Sequence, residues 1–132
     1  MKNSEHLSKI IVHPNDPNTV WVASQGPLWS SGGERGLYKT IDGGKTWNNM
    51  LEIDEWTGVT DLLIDPRNPD VLYCASWQRH RNVASHIGGG PGTSIYKSTD
   101  GGDSWTKINK GLPSSNMGKI GLAISPINPD VV

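Results

Sequence analysis

The sequence predicts an all-β chain of short antiparallel strands, and three observations predict it. Apolar residues come in short runs bounded by proline or glycine, and no stretch sustains a helical period. Glycine and proline, 16 and 9 of 132 residues, recur at matching places, which is turn chemistry between strands and not low complexity. The chain also repeats itself. His13-Pro-Asn-Asp-Pro-Asn-Thr-Val-Trp-Val-Ala-Ser24 returns 52 residues later as Asp65-Pro-Arg-Asn-Pro-Asp-Val-Leu-Tyr-Cys-Ala-Ser76 and begins again, 60 further on, as Ser125-Pro-Ile-Asn-Pro-Asp-Val-Val132. A second motif, Leu37-Tyr-Lys-Thr-Ile-Asp-Gly-Gly-Lys-Thr-Trp47, returns 58 residues later as Ile95-Tyr-Lys-Ser-Thr-Asp-Gly-Gly-Asp-Ser-Trp105. Two motifs repeating in the same order define a structural unit.

Taken in chain order, each unit reads as four strands. Ile10-Ile11-Val12, Leu62-Leu63-Ile64 and Leu122-Ala123-Ile124 are continuous apolar runs with a proline two residues beyond, and predict a first strand buried on both faces. A proline-bounded turn leads to an alternating second strand at residues 20–23 or 71–75. The third strand, 37–40 or 95–98, runs into Asp-Gly-Gly, and a fourth starts at Trp47 or Trp105. Four-stranded units recurring at about 40 to 60 residues are the signature of β-propeller blades. The predicted fold is therefore a partial β-propeller: one segment, 1–132, with two four-stranded antiparallel blades at 7–53 and 59–108 and the start of a third at 118–132.

The residues Thr40-Ile41-Asp42-Gly43-Gly44-Lys45-Thr46-Trp47 and Ser98-Thr99-Asp100-Gly101-Gly102-Asp103-Ser104-Trp105 resemble the Asp-box, or BNR repeat, of pattern SxDxGxTW. Gly33-Glu34-Arg35-Gly36, Trp77-Gln78-Arg79-His80-Arg81 and Gly88-Gly89-Gly90-Pro91-Gly92 resemble bacterial sortilin-type propeller proteins often labelled glycosyl hydrolases. The resemblance covers nearly the whole chain and implies a fold. It does not imply one activity, since sialidases, xyloglucanases, sortilins and photosystem assembly factors share the box. Asp42, Gly44, Trp47, Asp100, Gly102 and Trp105 are expected to be structural: glycine supplies positive φ, the aspartate accepts hydrogen bonds from its own turn, and the tryptophan buries its ring between sheets. A calcium loop would need several closely spaced oxygen ligands and a bidentate acid, which do not follow, so no metal is expected. The Gly88–92 stretch lacks the Lys-Ser/Thr of a phosphate-binding loop and reads as a flexible or tightly turned loop.

Composition narrows the function classes. Twelve Lys+Arg against thirteen Asp+Glu, a net charge of −1, lack the basic footprint of a nucleic-acid or anionic-membrane binder. The single cysteine, Cys74, removes a disulfide framework and a cysteine-based zinc site. No apolar run approaches the roughly 18 residues that cross a bilayer. Met1-Lys2-Asn3-Ser4-Glu5-His6 is not a signal peptide; the resemblance nevertheless implies an exported parent, secreted or periplasmic. No cofactor is implied.

Strand alternation divides the connections between two rims. Proline turns and Asp-boxes share one; the long segments 25–36, 53–58 and 77–93 share the other, where binding residues concentrate on such scaffolds. Ligand-binding candidates there are Trp29, Arg35, Trp56, Trp77, Arg79, His80 and Arg81. The tryptophans suit stacking on a sugar ring or apolar peptide, and equally suit capping a loop. The basic residues suit clasping a carboxylate or phosphate, and equally suit pairing with Glu34, Asp54 or Glu55. Asp61 stands where the repeat aligns Lys9 and Gly121. Its bland reading is a partner for a basic residue in the next unit or for a loop amide; its catalytic reading pairs it with Glu55, Asp54 or Glu34 across a glycosidic bond. A sialidase is disfavoured because the chain has no phenylalanine for the Phe-Arg-Ile-Pro signature. Two blades and a fraction leave strand edges and side faces bare. The expected partners are further blades or copies of the chain itself, with a saccharide or peptide on the long-loop rim. The favoured expectation is a binding scaffold in a larger protein; the alternatives are part of a glycoside hydrolase whose other acids lie elsewhere, and a purely structural piece.

Overall fold

A computed structural model describes residues 1–108 and 110–132. It is all-β, with no helix among those residues. The first unit comprises β1 (Leu7–His13), β2 (Asp16–Ser24), β3 (Gly36–Thr40) and β4 (Asn48–Leu51), hydrogen-bonded in the order β1-β2-β3-β4. The second begins with β5 (Thr57–Asp65) and β6 (Asn68–Gln78). A two-stranded hairpin of β7 (His80–Arg81) and β8 (His86–Ile87) then intervenes before β9 (Ile95–Ser98) and β10 (Thr106–Ile108) complete the sheet β5-β6-β9-β10. Every pairing is antiparallel. Each sheet is thus a meander whose neighbours in sequence are neighbours in space, the pattern short turns permit.

The turn after β3 is built by its own side chains. Gly43 and Gly44 take φ of 71° and 89°, and Gly101 and Gly102 take 69° and 85°, values that an L side chain adopts only under strain. Asp42 accepts from the Thr46 amide at 2.9 Å and the Thr46 hydroxyl at 2.6 Å, while the Thr40 hydroxyl accepts the Gly44 amide at 3.0 Å. Asp100, Ser104 and Ser98 repeat the arrangement at 2.9, 2.5 and 2.8 Å. These bonds hold both carboxyls well below the ordinary carboxylate range, the Thr46 and Ser104 hydroxyls contributing most. Each turn is closed by its tryptophan, whose indole N–H donates to the Gly44 or Gly102 carbonyl at 3.0 Å.

The two sheets pack face to face around Trp21, Ala23, Leu37, Val59, Leu62, Leu72 and Cys74. Equivalent residues do not meet each other. Sheet one offers the face carrying Ile11, paired with Trp21, and Leu37, paired with Ala23. Sheet two offers Leu62, paired with Cys74, and Ile64, paired with Leu72; by the repeat these correspond to Ile10, Val22, Val12 and Val20 on the opposite face of sheet one. The units are therefore stacked by translation. Trp21 crosses the junction to donate its indole N–H to the Gly101 carbonyl at 3.1 Å, and Lys39 reaches Asp103 at 2.7 Å. A Cβ on Gly102 would lie 2.9 Å from the Trp21 indole nitrogen, so that turn position is glycine for contact as well as for φ.

Translation explains where burial departs from the sequence expectation. The first strands were expected to be covered on both faces, yet Ile10 and Val12 are 60% and 52% exposed. Among the described residues no sheet lies against their side of sheet one, and Ile10 with Leu7, Val20, Val22 and Trp47 lines an open apolar cleft of about 380 Å³. Residues 122–124, expected as a third first strand, form none: no neighbouring strand among the described residues completes a ladder with them, and a lone extended segment is not a sheet. Leu122 and Ile124 are half-buried and Ala123 exposed. The segment lies along sheet two, its Leu122 amide on Asp61 at 2.9 Å and Asp130 on Arg67 at 2.8 Å. The hairpin of β7 and β8 has no precursor in the periodic pattern. Gly88–92, read as flexible or tightly turned, contains a turn in which the Thr93 amide donates to the Gly90 carbonyl at 3.0 Å, with no positive φ; the Gln78 and Thr57 side chains crowd Gly90 and Gly92, and backbone crowds Gly89. A Cβ at Gly89 would sit 2.4 Å from the Met117 carbonyl oxygen.

Candidate functional site

Three long connections meet at one end of the sheets. The Gly32 amide donates to the Glu55 carbonyl at 2.7 Å, the Arg79 amide to Trp56 at 3.2 Å and the Arg81 amide to Leu28 at 3.1 Å, so 25–35, 52–56 and the chain after β6 are laced by main-chain bonds. At the other end the proline turns pair with the Asp-Gly-Gly turns, Gly43 to Asn18 at 3.0 Å and Gly101 to Asp70 at 2.9 Å.

Arg35 organises the first loop from inside. It is 3% exposed, and its guanidinium donates to the carbonyls of Gly32 and Gln25 at 2.7 Å, Ser30 at 2.8 Å and also Pro27. Burial, and secondarily the neighbouring Arg79, pull its pKa below the usual arginine value. Arg79 is 6% exposed, donates to the Gly26 carbonyl at 2.9 Å and leaves its Nε buried without a partner. Neither arginine has a carboxylate within ion-pair distance among the described residues. The loop carbonyls solvate these charges in place of water.

Around this buried pair stand the aromatic candidates. The Arg79 guanidinium lies 5.3 Å from the Trp77 ring centre, and Lys119 lies 5.8 Å from the same ring. Trp56 meets His80 edge-on with ring centres 4.1 Å apart, and Arg81 lies 5.9 Å from Trp29, itself 63% exposed. Asp54 is spent on its own loop, accepting from the Trp56 amide and Thr57 hydroxyl, each at 2.7 Å. Trp29, Trp56, Trp77, Arg79, His80 and Arg81 thus share one rim as three cation–aromatic or edge contacts. Lys119 escaped the sequence reading because it lies 42 residues beyond Trp77 and carries no motif.

The carboxylates sit apart in role. Asp61 accepts the Leu122 amide at 2.9 Å and faces Lys9 at 3.6 Å; the basic partner thus comes from the preceding unit, where the next one was expected. Glu34 accepts the amides of Lys2 and Asn3 at 3.0 and 3.1 Å and faces the N-terminal amine at 3.8 Å. Glu55 is exposed, its carbonyl tied to Gly32. His86 is exposed on β8. No group of three or more His, Cys, Asp and Glu side chains gathers as a metal site among the described residues. No described helix is long and apolar enough to cross a membrane.

The rim therefore offers aromatic surface and cations. No protein-family model matches the chain. The chain is similar to a probable oligoxyloglucan-reducing end-specific xyloglucanase of Neosartorya fischeri, at 29% identity over 110 residues. The likeness is thus to a glycoside hydrolase. It covers 80% of this chain but 11% of that protein, so the chain spans about a tenth of its relative's length.

Proposed function

We propose that the chain is a segment of an Asp-box β-propeller, blades at 7–53 and 59–108 with a third begun at 118–132, serving as a saccharide-binding scaffold within a larger protein. The observation that carries this reading is the gathering of Trp29, Trp56 and Trp77 with Arg79, His80, Arg81 and Lys119 on one rim. Indole faces suit the C–H face of a pyranose, and the flanking cations suit its hydroxyls. The packing of unlike faces supports the architecture, because sheet one buries one face only against the sheet that follows it. Arg35 is then the residue that shapes the rim and not one that touches the ligand. The test is titration of the chain with oligoxyloglucan, followed by tryptophan fluorescence. Saturable quenching that Trp56→Ala and Trp77→Ala each weaken about tenfold is expected; an unchanged spectrum at millimolar sugar would refute a saccharide ligand.

The likeness to a xyloglucanase favours a second reading, a glycosidase sharing its acids with segments outside this chain. Asp61, with Glu55 or Glu34 as its partner, would supply one carboxylate. Release of reducing sugar by a longer protein containing this segment, abolished by Asp61→Asn, would support it; full activity in that variant would leave Asp61 as the anchor of Lys9 and Leu122.

A further inference from the structure

The face of sheet one that carries Ile10, Val12, Val20 and Val22 is the repeat counterpart of the face of sheet two that carries Leu62, Ile64, Leu72 and Cys74. Leu62, Leu72 and Cys74 are fully buried in the junction with sheet one. Their counterparts have no sheet over them among the described residues, and Ile10 and Val12 are exposed accordingly; Val22, however, is only 4% exposed. The cleft that Val22 lines has two walls that belong to neither a strand nor the Asp-box turn, Met1 and Ser4. Both are half-buried, whereas Lys2, Asn3, Glu5 and His6 are exposed, so the segment has an inner and an outer side.

This segment is pinned twice to the loop after β2. Next to β1, the Gln25 amide donates to the His6 carbonyl at 3.2 Å, and His6 donates from Nδ1 to the Gly26 carbonyl at 3.1 Å. His6 bends the chain there with φ at 56°, a left-handed conformation that costs a side-chain-bearing residue energy. Further out, Glu34 accepts the Lys2 and Asn3 amides at 3.0 and 3.1 Å. The neighbouring Arg35 fixes that loop from inside, so the carboxylate is presented from a rigid mount.

We propose that residues 1–6 are a releasable strap that covers Val22 where the repeat places a neighbouring sheet, and that Glu34 is its latch. Two charge-assisted amide bonds offset the entropy lost in ordering the strap, and without the carboxylate the strap lets go. Release opens the apolar face to a sheet of the kind that covers Leu62, which has no room while the strap lies there. None of the rim tryptophans takes part, so failure of the saccharide reading would leave the strap standing.

Nuclear magnetic relaxation of the whole chain, of Glu34→Ala and of Asn3→Pro tests it. In the parent, residues 2–5 should be as rigid as the strands, with order parameters of about 0.85, and a dissolved nitroxide should relax the Val22 methyls no faster than those of Leu72. Glu34→Ala removes the acceptor; Asn3→Pro removes one amide that it holds, outside every strand. Each should lower the order parameters of residues 2–5 below about 0.6 and raise Val22 relaxation toward that of exposed Val12, with Leu72 still protected. Residues 2–5 already mobile in the parent, or still rigid in both variants, would overturn the proposal. So would Val22 methyls that stay protected once the segment is mobile, or Leu72 methyls exposed along with them.

Discussion

Replacing Trp21 by phenylalanine tests the translational junction directly. The indole is buried, and its N–H bond to Gly101 at 3.1 Å joins the sheets. Phenylalanine keeps an aromatic ring but removes the donor and the outer part of the bicycle. The lost hydrogen bond accounts for about 1 kcal/mol, and a buried Gly101 carbonyl left unpaired adds about 1 kcal/mol or more. The vacated space beside Gly102 adds about another 1 kcal/mol. Trp21→Phe should therefore destabilise by about 3 kcal/mol. Trp47 occupies the equivalent of Trp105 on the bare side of sheet one and bonds only within its own turn, so Trp47→Phe should cost under about 1 kcal/mol. Urea unfolding followed by far-ultraviolet dichroism measures both, and the slope should be unchanged. Equal midpoints for the two variants would refute the assignment of Trp21 as the lock between sheets. Should Trp21→Phe prove too unstable to purify, Lys39→Met, which removes the partly exposed contact to Asp103, should lower stability by under about 1 kcal/mol.

Three further outcomes follow from particular groups. Arg35→Met should destabilise by about 3 kcal/mol, because the carbonyls of Gln25, Pro27, Ser30 and Gly32 lose their donor together, and it should raise proteolysis within residues 25–36; resistance equal to the parent would contradict the clamp. Asp42, Asp65 and Asp100 all titrate lower when folded, Asp65 at about 2 through the Arg67 guanidinium and amide. Their contribution is present above an unfolded pKa of about 4 and lost as pH falls through the folded values. Urea midpoints should be level from about pH 7 to 5 and drop below about 4, and Asp100→Asn should flatten that drop; a profile level to about pH 2 would contradict it. The Cys74 thiol is fully buried and its pKa is pushed well up by burial, so an aromatic disulfide reagent should label it only at the rate of unfolding, and instantaneous labelling of the native chain would exclude this core.

Much of the fold was legible because the repeat carries register. Matching Val-Trp-Val-Ala to Leu-Tyr-Cys-Ala placed Trp21 and Tyr73 at equivalent points, and the structure sets Lys39 and Lys97 over them, 5.8 and 5.2 Å from their ring centres. The Asp-Gly-Gly turns were legible because their chemistry is local, every bond lying within about one turn of chain. What escaped depends on contacts between distant segments. An apolar run such as Ile10-Ile11-Val12 records that both faces suit burial and not whether a neighbour is there. The hairpin of β7 and β8 forms around Asn82, whose side-chain oxygen accepts the amides of Ala84 and Ser85 at 2.9 and 2.8 Å, a cap with no strand periodicity around it. Arginine reads as a solvent-facing residue, so the inward turn of Arg35 and Arg79 becomes visible only once the carbonyls that receive them converge. The rim candidates were found by their place after the strands, and their pairing into Trp56 with His80 or Trp77 with Lys119 required the fold.

The stacking of like on unlike gives the assembly a direction. Sheet one gives the Trp21 indole forward and sheet two receives it on Gly101 and Gly102 of its turn, so a second unit turned end for end would bring no glycine turn to that indole. Growth by such units is vectorial, as in a row of dominoes: duplication of a stretch of chain extends the row without redesigning any junction, whereas an inverted copy would find no seat on either side.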